Sequence, residues 1–325
     1  MIEKIAVALP DWIVDADEVA GWTDSDPQFI REKVGIETRR FLRDDETGCD
    51  LASRAVREVL SDGGTAGDDL DFLITVTQTP DLRLPHMSAQ IQNACGLPTT
   101  IMAFDMSLGC SGYVHALSVA RALLSTGMRS GLIVTCDPYS KIMRRRDKAT
   151  VTVFGDGATC SLIRRDGIDR LGSFDFGTDG SGAEHLCFQG AKLDGAVASE
   201  GPPSPADSEP TPSLHMNGRE ILNFMLERVP ESVDRCLARE GLTRDDVDLF
   251  VFHQASRYML TLLARRMGLD IAKVPIFISD TGNTVSSTIP IVLNRLQQAG
   301  ELAGRTVLLS GFGVGLSWGT TVIRF

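Results

Sequence analysis

The 325 residues predict a layered α/β fold, built as two similar halves around mostly buried sheets. Three observations carry this. Short, β-rich apolar runs with no polar alternation, such as Leu70–Thr77, Gly131–Cys136 and Thr306–Ser310, are the mark of strands covered on both faces. Segments with helical periodicity stand between those runs. The order of elements then recurs, and each half ends in a glycine-rich turn between strands. The halves are placed at residues 1–168 and 169–325.

Taken in order, Lys4–Leu9 reads as a first strand closed by Pro10, and Asp26–Gly35 as a polar helical segment leading to Val34–Arg40. Cys49–Leu60 is amphipathic and helical. Residues 63–69 form a loop, followed by the strand Leu70–Thr77. Pro80–Pro85 is an exposed loop, and Ser88–Ala94 a short helix stopped at Gly96. A helical face of Val114, Leu117, Ala120, Leu123 and Leu124 runs to Gly127, and the strand Gly131–Cys136 follows. Val151–Phe154 leads through Gly155–Ala158 into a strand over Thr159–Ile163. Residues 190–212, with five prolines among Ser, Ala and Glu, read as an exposed insertion. Ile221–Arg239 is a long helix, Asp248–Phe252 a buried strand ending at His253, and Arg257–Met267 a helix. Gly282–Asn283–Thr284 opens another helix, with Ser286, Ser287 and Pro290 in its first turns. Phe312–Gly319 reads as a tight turn before the last strand, Thr320–Arg324.

The bulk numbers exclude several classes. A net charge of −11 leaves no basic surface for general nucleic-acid binding. Seven scattered cysteines give neither a disulfide framework nor zinc-ligand spacing. MIEKIAVALP goes straight into a strand with no signal-peptide core, and no apolar stretch has membrane-span length. The expectation is a cytoplasmic protein in a reducing environment, with no metal.

Phe104–Tyr113 holds the chemistry. Cys110 lies between Gly109 and Ser111–Gly112, where an apolar run turns into a helix. Glycine there permits a sharp bend and a close approach. Free N–H groups at a helix start favour a thiolate and are expected to lower the thiol pKa; an inert core cysteine is the alternative. His253 sits where a buried strand ends, the edge at which open α/β sheets bind ligands, although a buried structural histidine fits as well. Asn283 either caps a helix or serves the same site. Gly313–Val314–Gly315 is either a plain hairpin or a close-approach turn.

Five motifs in this order resemble a β-ketoacyl-(acyl carrier protein) synthase III of the thiolase-like superfamily: Gly109–Gly112, Phe154–Ala158, His253–Ala255, Gly282–Thr284 and Gly313–Gly319. The resemblance runs from Ile5 to Phe325. It implies a five-layer αβαβα sandwich, a homodimer, and decarboxylative condensation of an acyl thioester with a malonyl thioester. Cys110 would be acylated, and His253 and Asn283 would stabilise the enolate as two neutral donors, with His253 protonated on its facing nitrogen. The N–H groups of Cys110 and Val314 would form the oxyanion hole, and Phe312 would stand between the two substrates' ends. The first half would carry the cysteine, the second the histidine and asparagine.

The chain departs from the family in how it handles substrate. Phe29 and Lys148 stand where the family grips the adenine of coenzyme A with tryptophan and arginine. That change points to a carrier-protein-bound acyl donor. Leu84 falls where a partner-subunit phenylalanine often closes the acyl pocket, so primers longer or more branched than acetyl are expected. Arg265–Arg266 would meet the acidic acyl carrier protein, or be a solvated helix face; Arg144–Arg145–Arg146 carries the same ambiguity. These departures, with the insertion, lean toward a specialised secondary-metabolite pathway rather than fatty-acid initiation. No redox cofactor is implied. A thiolase would need a second cysteine in the last glycine-rich turn, and the last cysteine is Cys236. Acyl transfer without loss of CO₂, and a non-catalytic synthase partner subunit, are the other readings.

Overall fold

The computed structural model describes residues 2–61, 69–165, 170–189 and 213–325. The loop expected over residues 63–69 lies almost wholly outside these, and so do the proline-rich stretch 190–212 and the expected boundary between halves at 168/169.

The chain opens with strand β1 (Ile2–Ala8), then β2 (Trp12–Asp15) and helix α1 (Ala16–Thr23), where the Asp15 carboxylate accepts the Glu18 N–H at 2.8 Å. Asp26 caps the short α2 (Pro27–Phe29), which continues as a π-helical turn over Ile30–Val34. Next come β3 (Thr38–Phe41) and α3 (Gly48–Leu60), capped by Thr47. Then follow β4 (Phe72–Val76), α4 (Met87–Ala94), β5 (Met102–Met106), α5 (Gly112–Ser125), β6 (Ser130–Cys136), α6 (Lys148–Val151) and β7 (Ala158–Arg164). After β7 come β8 (Leu171–Thr178), β9 (Leu186–Gln189), β10 (Ser213–Met216), α7 (Gly218–Arg239), β11 (Leu249–Phe252), α8 (Arg257–Met267), α9 (Thr288–Gln298), β12 (Thr306–Gly313) and β13 (Ser317–Arg324).

Two sheets organise these elements. The first has the order β1-β7-β6-β4-β5, parallel across β6-β4-β5 and antiparallel at β1-β7-β6. The second has the order β11-β12-β13-β8, parallel only at β11-β12. Side chains alternate across a strand, and both faces here are apolar. Phe72, Ile74 and Val76 point one way and Leu73 the other, into two separate cores. The outer core packs the first sheet against α3 and α4. The middle core joins that sheet to α5, α9 and the inner face of the second sheet, through Val114, Leu117, Val292, Val307 and Leu309. The third core packs Phe250, Phe252 and Leu308 against α7 and α8. Helices, sheet, helices, sheet, helices make the five-layer αβαβα sandwich.

The last glycine-rich segment differs from expectation. Strand β12 continues to Gly313, the turn is only Val314–Leu316, and β13 already begins at Ser317. The pairing of Phe312 with Trp318 and Gly313 with Ser317 keeps the glycines inside a ladder, because small residues are needed where this hairpin presses on Cys110.

Candidate active site

Cys110 lies in the link from β5 to α5, one residue before the helix N-cap Ser111. It is 5 % exposed. Gly313 faces it from β12: a Cβ there would stand 2.8 Å from Cys110 Cβ and 2.9 Å from Sγ, so only glycine fits. The N–H groups of Cys110 and Val314 both turn toward the sulfur and pull its pKa down. Burial outweighs them and, with the Asp137 carboxylate nearby, pushes the thiol up to about 12. The low thiol pKa expected from the helix start is therefore overturned: the pocket floor is too dry for a free thiolate.

His253 follows β11 and its N–H bonds the Ser310 carbonyl at 2.9 Å, which seats it at the sheet end. Its ring is 2 % exposed and meets Phe312 edge-on at 5.5 Å between centroids. Burial lowers its pKa to about 3, so the imidazole is neutral. Asn283 is 4 % exposed and is tied into place by the Phe154–Ala158 motif. Its N–H bonds the Val153 carbonyl at 2.9 Å, and its carbonyl accepts the Gly155 N–H at 3.0 Å. Asp156 in that motif accepts the Leu42 N–H at 2.8 Å and the Ser140 N–H at 3.1 Å, holding the loops around it. Asn283 Nδ2 lies 3.4 Å from His253 Nε2.

Cys110, His253 and Asn283 share the floor of one pocket of about 370 Å³. Apolar groups such as Phe154, Leu186, Ile221 and Met259 wall it, and Phe312 and Gly313 line it beside the sulfur. Phe29 and Lys148 stand at its mouth, the Lys148 ammonium 5.5 Å over the Phe29 ring, which is 44 % exposed. Leu84 is elsewhere, 86 % exposed on its loop and outside this pocket. Arg265 and Arg266 are exposed in the last turn of α8, where cations also suit the helix dipole. The Arg144–Arg146 run is divided: Arg145 lies over the Trp12 and Trp22 rings, while Arg144 and Arg146 line a separate surface cavity. Among the described residues no cluster of three or more His, Cys, Asp or Glu could hold a metal ion, and no helix is long and apolar enough to cross a membrane.

Sequence reasoning missed five residues behind the floor: Gln78, Asp137, Tyr139, Val285 and Thr288. Asp137 accepts the Gln78 N–H at 2.6 Å and the Ser286 hydroxyl, and burial raises its pKa to about 6. The Gln78 side-chain carbonyl accepts the Tyr139 hydroxyl at 3.0 Å. Thr288 Oγ1 lies 2.7 Å from His253 Nδ1. Val285, at φ +55°, donates its N–H to Asn283 Oδ1 at 2.9 Å. Only the position of Ser286 just after Gly282–Asn283–Thr284 offered a signal in the sequence.

A thiol, an imidazole and an amide lining one mostly apolar pocket, in a five-layer sandwich, define a thiolase-like acyltransferase. The comparisons agree. Residues 104–180 match the family model for 3-oxoacyl-[acyl-carrier-protein (ACP)] synthase III, and residues 237–325 match the model for its C-terminal part. A β-ketoacyl-[acyl-carrier-protein] synthase III of Acidiphilium cryptum is 34 % identical over 100 % of this chain and 99 % of its own. A solved 3-oxoacyl-(acyl-carrier-protein) synthase III is 39 % identical, with a TM-score of 0.91 over 100 % of this chain and 99 % of its own. The priming β-ketosynthase of the R1128 polyketide pathway is 29 % identical, with a TM-score of 0.90 over 100 % and 95 %. The chain belongs to the β-ketoacyl-[acyl-carrier-protein] synthase III family and is an acyltransferase of the ketosynthase type.

Proposed function

We propose that this chain condenses an acyl thioester with a malonyl thioester through acyl-Cys110, with His253 and Asn283 completing the site. The observation that carries the reading is the meeting of these three side chains on one buried pocket floor. In the first half-reaction Cys110 Sγ attacks the acyl thioester carbonyl. The S–C bond forms, the bond to the carrier thiol breaks, and the thiol proton leaves with that carrier. The N–H groups of Cys110 and Val314, which both turn toward the sulfur, would receive the oxyanion. In the second half-reaction the malonyl group loses CO₂, and its electron pair becomes an enolate. The enolate carbon attacks acyl-Cys110, collapse of the adduct breaks the C–S bond and returns its electron pair to sulfur, and the thiolate takes up one proton from solvent to restore the resting thiol. Asn283 cannot titrate, so its donor to the enolate oxygen persists at any working pH.

The pocket mouth supports a phosphopantetheine arm entering between Phe29 and Lys148. Phe29 stacks less widely than tryptophan, and Lys148 lacks the planar fork of arginine, which favours a carrier-protein-bound donor over coenzyme A. Arg265 and Arg266 are the proposed docking pair for the acyl carrier protein. The enzyme is read as a cytoplasmic homodimer in which Leu84 reaches the partner's acyl pocket and leaves room for longer or branched primers. It needs no metal or prosthetic group for these steps, since the thiol, imidazole and amide supply them. The proposed halves, 1–168 and 169–325, follow the sheets: the strands of the first lie within residues 2–164, those of the second within 171–324. A specialised pathway is the favoured setting.

The test is intact-protein mass spectrometry with a panel of acyl-coenzyme A and acyl-carrier-protein thioesters, beside Cys110→Ala. One acyl mass gained, absent in the variant, is expected, and malonyl-carrier protein should then discharge it as a β-ketoacyl product. Discharge without CO₂ release would replace condensation by simple acyl transfer. No adduct from any donor would sink the role of Cys110.

A further inference from the structure

The hydrogen bonds around His253 close into a ring, and one backbone group sets the direction of all of them. The Val285 N–H can only donate, and its partner at 2.9 Å is the Asn283 side chain, which must therefore present Oδ1. The amide then turns Nδ2 toward the imidazole, 3.4 Å from Nε2. Nδ2 is only a donor, so Nε2 must accept. A neutral imidazole that accepts at Nε2 carries its proton on Nδ1. The Thr288 hydroxyl, 2.7 Å from Nδ1, receives that proton's bond and passes its own to the Val285 carbonyl at 3.1 Å. The ring begins and ends on Val285. Its φ of +55° is rare for a β-branched residue, and both of its backbone groups are used here.

We infer that Thr288 is a positioning residue that holds His253 as the neutral Nδ1–H tautomer, so that Nε2 faces the pocket as a proton acceptor. The opposite tautomer would set two donors against each other at the Asn283 contact and cost the ring its bond to the Val285 carbonyl. This reverses the expectation that His253 is protonated on its facing nitrogen. Its use in the reaction rests on the role proposed for Cys110. As Sγ attacks the acyl thioester, the thiol proton moves to Nε2 and the ring becomes an imidazolium. As the carrier thiolate leaves, it takes that proton, and the ring returns to its starting tautomer. During decarboxylation Asn283 is the standing donor to the enolate, and His253 joins only when an anion in the pocket holds it protonated.

Nitrogen NMR of the full-length enzyme with ¹⁵N-labelled histidine tests this, with His253 assigned by its loss in His253→Asn. A pyrrole-type Nδ1 and a pyridine-type Nε2 are expected in the wild type and in Thr288→Ser. Thr288→Val, which keeps the shape and loses the hydroxyl, is expected to populate the other tautomer while the signals of the half-buried His115 stay in place. It should also slow acylation of Cys110 by at least about tenfold, with Thr288→Ser restoring the rate. A pyrrole-type Nε2 in the wild type overturns the assignment whatever the variants do. A Thr288→Val enzyme with the wild-type spectrum and rate removes the role of Thr288. Failure of the wild type to form any acyl adduct overturns the reaction step together with the reading of Cys110, and the wild-type tautomer then decides the assignment alone.

Discussion

Gly313 lies so close to Cys110 that a methyl group on it would stand 2.9 Å from the sulfur. Cys110, from the first sheet's side, is thus placed by contact with a strand of the second. Gly313→Ala should displace the thiol or the hairpin by a few tenths of an ångström or more. A fall in acylation rate of about 100-fold is expected, with far-ultraviolet circular dichroism unchanged. A wild-type acylation rate in the alanine variant would refute the tight fit.

Asp137 opposes ionisation of Cys110, and its own pKa is about 6. Alkylation of the resting enzyme by iodoacetamide should be slow at neutral pH and rise steadily toward about pH 12. Asp137→Asn should speed it severalfold at pH 8, where the carboxylate is charged, and leave it unchanged at pH 4.5, where it is mostly neutral. Equal rates at pH 8 would show that the buried carboxylate does not reach the sulfur.

Burial shifts His253 and Asp137 in ways that oppose each other in stability. His253 is held at about 3, below its ordinary value near 6.5, so its contribution is present above pH 6.5 and is lost as pH falls toward 3. Asp137 is raised from 3.8 to about 6, so its contribution is present below pH 3.8 and is lost as pH rises through 6. Denaturation midpoints between pH 4 and 8 should rise for Asp137→Asn relative to wild type as pH increases. For His253→Asn they should rise relative to wild type as pH decreases. Parallel curves would contradict both.

Asn283→Ala should retain acylation of Cys110 and lose decarboxylation of the malonyl thioester by about 10²–10³-fold. Release of CO₂ and the acyl-enzyme mass separate the two steps. Equal loss of both would mean that Asn283 only supports the fold.

The two basic sites should separate kinetically. Lys148→Ala is expected to raise KM for coenzyme A thioesters a few-fold, the scale of one exposed charge contact to the substrate. Arg265→Glu with Arg266→Glu should raise KM only for carrier-protein substrates, an effect that shrinks in salt. If the double variant were indifferent to the carrier protein, those arginines would be no more than a solvated helix end.

Much of the fold was legible because buried strands declare themselves by composition: Leu249–Phe252 is wholly apolar, and Phe72–Val76 and Leu132–Cys136 are each broken only by one β-branched threonine. Cys110 was legible through its flanking Gly109 and Gly112, His253 through its place at the end of the apolar run Phe250–Phe252, and Asn283 only through Gly282 before it and its order among the other motifs. Thr288 was not, since a threonine at a helix start is ordinary and its value lies in one distance to a histidine thirty-five positions away. The thiol pKa was misjudged for a related reason. A helix start is local and visible in the sequence, whereas dryness comes from β12, α7 and α8 closing over the site. The glycines of Phe312–Gly319 suggested a loop, but a ladder pressed against another backbone asks for the same residues.

The short bridge between Phe154 and Asn283 has a further consequence. Phe154 leads into β7 of the first sheet, and Asn283 leads into the helix beneath the second, so the proposed catalytic groups are assembled across a seam rather than inside either side of it. Splitting the chain between β7 and β8 should leave two polypeptides that are each inert, and mixing them should restore turnover only to the extent that the seam re-forms. Activity is then a gauge of docking, and it should vanish when the seam parts, ahead of any loss of helix or strand.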